Sequence, residues 1–210
     1  MNSAPVAGAP VPTGNTFDKY GSTNPVVRRL MTGFEDTFDE LLDRCAPTSV
    51  LDVGCGEGVL TERWAQRLGS GRVVGMDLPD PKLETYWSAR TQRANLEFHI
   101  MAAERLDYSD GEFDLVAATE VLEHVAEPRR ALSEMVRVAK RWLIVSVPRE
   151  PLWRALNLAR GAYVRELGNT PGHRNHWSRG GFVKLVNGYG EVVDKRSPFP
   201  WTMLLVQVDR

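Results

Sequence analysis

Ser49-Val50-Leu51-Asp52-Val53-Gly54-Cys55-Gly56-Glu57-Gly58 is the stretch whose reading decides the fold. Its first half is a short apolar run, as in a buried strand, and the glycines at every second position after it mark a sharp exit from that strand. Lacking Cβ atoms, such glycines accept positive φ and bring the main chain within contact distance of a ligand, while the next helix offers amide donors from its N-terminus. Taken alone, the turn also fits a plain tight strand-to-helix connection.

Outward from this stretch, short apolar runs at residues 72–76, 95–100, 113–118 and 142–147 read as further strands, with helical spacing at 60–68, 81–91 and 128–139 between them. This alternation predicts a parallel sheet with helices on both faces. Upstream, Val26, Leu30, Met31, Phe34, Phe38, Leu41 and Leu42 recur at three- and four-residue spacing and predict an amphipathic helix over 25–44. Residues 1–16, rich in Ala, Pro and Gly, read as a disordered arm, so the domain spans 17–210. After residue 147 the alternation stops. Residues 148–185 carry no strand and read as an insertion covering the ligand at the carboxyl edge of the sheet; strands at 191–195 and 202–208 then pair antiparallel.

Asp77 closes the next strand, where a carboxylate accepts from both hydroxyls of a ribose, so turn and acid together imply a nucleoside cofactor. A dinucleotide site, G-x-G-x-x-G, requires glycine at 59, where this chain has Val59. Asp52 sharpens the distinction, because a carboxylate repels a pyrophosphate and attracts an ammonium. An amino-acid tail on the nucleoside fits, which favours S-adenosylmethionine over NAD.

The chain has 210 residues, 42% hydrophobic and 25% charged, which suits one globular domain. Its net charge of -1 excludes nucleic-acid binding driven by bulk charge. The two cysteines, Cys45 and Cys55, read as free thiols of a reducing compartment, and with neither a secretory signal nor a run of about 20 apolar residues the expected location is the cytoplasm.

The strings Val50 to Gly58, Asp77 and Phe113-Asp-Leu-Val-Ala-Ala-Thr-Glu-Val-Leu-Glu-His124 resemble the successive motifs of class I S-adenosylmethionine-dependent methyltransferases over residues 45–148. Within that class the chain is similar to the type 11 group, which includes the ubiquinone-biosynthesis O-methyltransferases. The resemblance implies a single Rossmann-like α/β domain with a seven-stranded, mostly parallel sheet in the order 3-2-1-4-5-7-6. It also implies S-adenosylmethionine as cofactor and S-adenosylhomocysteine as product, held by Asp52, Gly54, Cys55, Gly56, Gly58, Asp77, Leu78 and Glu120. Many relatives hold the adenine amino group with an Asp where this chain has Ala102, so the amide of Ala103 or the carboxylate of Glu104 is expected to serve.

Methyl transfer is an in-line displacement, which asks the protein for alignment and, with an alcohol or phenol, for a base. If a helical turn begins after residue 119, Glu120, Glu123 and His124 share one face. By the resemblance that turn lines the methionine end of the cofactor, and His124 serves as base, with His173 and His176 as the other candidates. Glu123 and His124 also fit a plain structural pairing. A metal-dependent alternative comes from a likeness to the small-RNA 3′-end 2′-O-methyltransferases, with Glu120, Glu123, His124 and His176 as ligands of a divalent ion. No metal is expected otherwise.

In the insertion, Leu152, Leu156, Ala159 and Tyr163 form a stripe expected to make a lid helix. Arg149, Arg154, Arg160, Arg165, Arg174, Arg179 and Lys184 outnumber Glu150 and Glu166 there, which suits an anionic acceptor. Trp153 offers a weaker reading as a peripheral membrane contact. The leading expectation is methyl transfer to an oxygen, less readily a nitrogen or carbon, of a small acceptor. A non-catalytic S-adenosylmethionine-binding subunit is the remaining alternative; the sequence carries no sign of oligomeric state.

Overall fold

Asn24 opens the first helix by accepting from the Val26 amide (2.9 Å), and Pro25 follows at the first helical position, where its missing N–H costs nothing. The structure is a computed structural model describing residues 22–90 and 93–208; the expected arm at 1–16 lies outside the described residues. Helix α1 runs Pro25–Cys45 and ends on a left-handed Ala46. Its buried stripe begins at Met31, and Val26, assigned to that stripe from spacing, is 64% exposed because the first turn precedes the helix's contact with the sheet.

Among the described residues seven strands follow: β1 (Ser49–Val53), β2 (Arg72–Asp77), β3 (Leu96–Ile100), β4 (Phe113–Thr119), β5 (Ala139–Pro148), β6 (Glu191–Arg196) and β7 (Trp201–Gln207). They form one sheet in the order β3-β2-β1-β4-β5-β7-β6. The first five are parallel; β7 runs antiparallel to both β5 and β6. Strand β5 is longer than its apolar run, because Ala139 turns extended at the end of the preceding helix and starts pairing at once, opposite Phe113.

Helices α2 (Val59–Leu68), α3 (Pro81–Arg90) and α4 (Pro128–Val138) connect the parallel strands. Because side chains of a strand alternate between faces, both faces carry a core. On one, Val50, Leu115 and Ile144 pack with Phe38, Leu41 and Leu42 of α1 and Trp64 of α2. On the other, Leu51, Val116 and Val145 pack with Leu132 and Met135 of α4 and with Phe182 of the late helix α6 (Arg179–Val186). Arg63 and Arg67 of α2 pair with Glu35, Asp39 and Asp43 of α1 and fix the two helices side by side.

Ahead of α6, the insertion holds α5 (Leu152–Ala159) and one 3₁₀ turn, Val164–Glu166. It differs from the long lid helix predicted for it. Helix α5 stops ahead of Gly161 (φ +71°), Ala159 is exposed, and the residue the helix buries is Asn157, whose amide donates to the Gly168 carbonyl (2.8 Å). Trp153 is partly buried: its Nε1 donates to Thr170 (2.9 Å) and its ring packs near His173 and Trp201. No helix among the described residues is long and apolar enough to cross a membrane.

Phe38 is fully buried and stacks on Trp64 with ring centroids 4.2 Å apart, joining α1 to α2. Phe38→Ala is expected to destabilise the chain by about 3–5 kcal/mol, the usual cost of emptying an aromatic site, as read by urea unfolding; a loss below about 1 kcal/mol would show that α1 is not part of the cooperative core.

Candidate active site

The ends of β1, β2 and β4 open on a cleft of about 860 Å³, within the range of small-molecule sites. Strand β1 delivers Asp52 and then the turn, where Gly54, Gly56 and Gly58 all take positive φ. Space as well as φ requires glycine here. A Cβ on Gly54 would stand 2.4 Å from Val121, and one on Gly58 would stand 2.6 Å from the Phe98 ring.

The turn is held from outside by residues without a sequence motif. Trp87 of α3 stacks on Phe98 of β3 and donates from Nε1 to the Gly56 carbonyl (2.8 Å), and Arg90 donates to the Glu57 carbonyl (2.8 Å). Gly54, Cys55, Gly56 and Glu57 face the cleft, together with Val59 and Leu60 at the start of α2, which has no side-chain cap. Gly58 lines no part of it; it is the left-handed cap of α2.

Asp77 ends β2 and accepts from the amides of Gly56 (2.8 Å, Oδ2) and Leu78 (2.7 Å, Oδ1), so its carboxylate is fixed in the cleft wall. Burial pushes its pKa up, and the two amide hydrogen bonds oppose that. Asp52 is only 1% exposed. Thr61 donates to its Oδ2 (2.6 Å), while Oδ1 is buried without a hydrogen-bond partner. A buried carboxylate oxygen in this position suits a cationic group of a ligand. Ala103 and Glu104 line the cleft beyond Asp77 and Leu78, at the end assigned to adenine, with Ala102 beside them.

Beyond β4 the predicted helical face does not form. Glu120 takes a left-handed φ of +58° and Val121–His124 form a turn ahead of α4, so Glu120 and Glu123 diverge. Glu120 lines the cleft and accepts from Trp201 Nε1, whereas Glu123 is 1% exposed and lies outside the lining. His124 does line it, joined by Met31 and Phe34 of α1, by Trp201 at the start of β7, and by Gly172 and Arg174 of the insertion. His173 is buried behind His124, with the rings edge to face at 4.8 Å. His176 interacts with Asn169 (2.7 Å) and Arg154 (3.1 Å), and burial pushes its pKa down. Neither His173 nor His176 lines the cleft, which leaves His124 as the histidine that faces it. The metal-capable grouping also differs from the one inferred by likeness: donor atoms of Glu123, His124 and His173 lie within 4.8 Å of one another, while Glu120 and His176 fall outside that group.

Trp87, Arg90, Thr61, Phe34 and Trp201 shape this site and went unrecognised in the sequence, since each is an ordinary core or helix residue until the fold brings it to the turn. Cys55 lines the cleft, and Cys45 is buried; both are free thiols.

A family model described as a methyltransferase domain matches residues 51–143. A ubiquinone biosynthesis O-methyltransferase of Methylococcus capsulatus is 30% identical over 162 residues, 69% of this chain and 67% of that protein. One from Neisseria meningitidis is 34% identical over 108 residues; as with several of these relatives, the chain spans about half of its length or less, here 44%. Among solved structures, magnesium protoporphyrin IX methyltransferase of Synechocystis, with bound SAH, shares the fold with a TM-score of 0.65 at 21% identity over 90% of both chains. The PH0226 protein of Pyrococcus horikoshii gives 0.68 at 18% identity, over 89% of this chain and 93% of that one. The chain belongs to the class I S-adenosylmethionine-dependent methyltransferase family.

Burial raises the Asp52 carboxyl from its ordinary 3.8 to about 7, against the Thr61 hydrogen bond and with a further push from Asp77. Between those values the folded chain keeps a proton that the unfolded chain releases, so Asp52 costs stability as pH rises from about 4 to about 7 and the cost is constant above that. Asp52→Asn is therefore expected to be more stable than the parent at pH 8, by on the order of a few kcal/mol, with the advantage vanishing near pH 4. Urea unfolding at several pH values measures this, and equal stability at pH 8 would contradict it.

Proposed function

We propose that this chain binds S-adenosylmethionine in the cleft and transfers its methyl group to an oxygen of a small anionic acceptor, with His124 as general base. The observation that carries the reading is the buried Asp52 Oδ1, without a hydrogen-bond partner, beside a glycine turn whose neighbour Asp77 is held by two amides. These groups fit the cofactor part by part. Asp52 suits the ammonium, the uncapped start of α2 suits the carboxylate of the amino-acid tail, and Asp77 retains lone pairs for the ribose hydroxyls. Ala103 and Glu104 then border the adenine.

Bound there, S-adenosylmethionine supplies a methyl group on a sulfonium, an electrophile that needs no further activation. The residues of the chain hold and deprotonate the acceptor. His124 Nδ1 lies 3.1 Å from the Gly172 carbonyl oxygen; a carbonyl only accepts, so Nδ1 carries the proton and Nε2 the lone pair that takes a proton from the acceptor hydroxyl. Met31, Phe34 and Trp201 give the acceptor an apolar wall, and Arg174 at the rim suits an anionic substituent. The relatives named O-methyltransferases support oxygen as the methylated atom. A cytoplasmic location belongs to the same proposal, supported by the two free thiols.

Two measurements test this reading. Asp77→Ala is expected to weaken S-adenosylhomocysteine binding at least tenfold by calorimetry, and unchanged affinity would remove the ribose assignment. His124→Gln is expected to leave that affinity within twofold while lowering kcat by about 10²–10⁴ on whichever hydroxyl acceptor a labelled-methyl screen of phenols, hydroxy acids and RNA 3′ ends identifies. A variant that kept full turnover would exclude His124 as the base.

A further inference from the structure

The turn that presents His124 has little regular structure of its own. Within it, the His124 amide donates to the Val121 carbonyl (2.9 Å), and the next helix begins only at Pro128. The carbonyls of Leu122, Glu123 and Val125 are taken by a segment about 50 residues later. Asn175 Nδ2 donates both to the Leu122 carbonyl (3.0 Å) and to the Val125 carbonyl (2.8 Å). The backbone amides of Arg174 and Asn175 both donate to the Glu123 carbonyl, at 2.8 and 3.0 Å. One reverse contact completes the set, from His124 Nδ1 to the Gly172 carbonyl. Farther along, Glu150 donates its amide to the Trp177 carbonyl (3.0 Å), which ties the segment to the end of β5.

We propose that Asn175 is a positioning residue of the acceptor site, its side-chain amide locking the 122–125 turn onto the Gly172 to Asn175 segment so that the His124 ring is held in one orientation and one tautomer. The amide orientation is not a matter of choice, because both partners are carbonyl oxygens and only the NH₂ end can serve them. No other side chain of similar size offers two such protons on one atom at this reach. With Asn175 in place, Gly172 O stands where it accepts from Nδ1, and the lone pair stays on Nε2. Without it, two carbonyls lose their donors, the turn and the segment part, and the bond that selects the tautomer is loosened.

This inference rests on the reading of His124 as base only for its effect on turnover; the effect on the ring stands apart from it. The experiment is ¹⁵N nuclear magnetic resonance of the imidazole nitrogens in the full chain, which has only 4 histidines, with His124 assigned by its absence from His124→Gln. The parent is expected to show His124 as the Nδ1–H tautomer. Asn175→Ala is expected to give a mixture of tautomers, at least a tenfold lower kcat and S-adenosylhomocysteine affinity within twofold; Asn175→Gln, which keeps the amide, is expected to recover part of both the signature and the rate. If the alanine variant does not fold, Asn175→Ser, which can reach one carbonyl, supplies the same readings. A lowered melting temperature with an unchanged His124 signature and unchanged kcat would overturn the proposal and leave Asn175 as a merely structural residue. A changed signature in Asn175→Ala together with full turnover by His124→Gln would uphold the positioning and overturn the base assignment instead.

Discussion

The hydrogen bond from the Gly56 amide to Asp77 Oδ2 is the contact on which the site depends, because it joins the turn after β1 to the end of β2. It forms only if the turn lies close against its neighbours, and the glycines permit that approach. Val121 occupies the space where a Gly54 side chain would begin, and the Phe98 ring does the same for both Gly58 and Gly75. Three strands and the turn after β4 therefore meet around one short loop. Trp87 and Arg90 of α3 close it by taking the Gly56 and Glu57 carbonyls.

This arrangement is unfavourable in one respect. Asp52 is buried with one oxygen satisfied by Thr61 and the other without a partner, and its raised pKa records the cost of keeping a charge there. A chain optimised for stability alone would place an apolar residue at that point. The retained carboxylate makes sense for binding a cation, since a ligand ammonium restores what desolvation removes. Asp77 is treated differently: two amides hold it, so it is oriented before any ligand arrives.

Much of the fold could be read from residue spacing. The β1 strand and its glycines, the apolar runs of β2 to β5 and the helical spacing of α1, α2 and α4 lie within a few residues of the positions expected for them. Those elements are long or strongly patterned, so local preference and tertiary packing agree. The region after β5 was less legible. Gly161 cuts α5 short, and Asn157 rather than the apolar stripe goes inward, because the insertion packs through hydrogen bonds and aromatic contacts that have no period. The Glu120 to His124 stretch misled for a related reason: a helical face requires helical φ at Glu120, and the end of β4 places that residue in the left-handed region.

The sequence by itself determined the order of elements, the glycine turn and the two carboxylates, because each depends on local chain chemistry or on near neighbours. Which histidine faces the cleft was decided only by the tertiary structure. His124, His173 and His176 are equivalent as residue types; the loop from Gly172 to Asn175 turns His173 into the core behind His124 and leaves His176 with Asn169 and Arg154. The same is true of the turn at 54–58. Its glycines announced a close approach, but what approaches it, Val121, Phe98 and Trp87, comes from three other parts of the chain that meet only in the folded sheet.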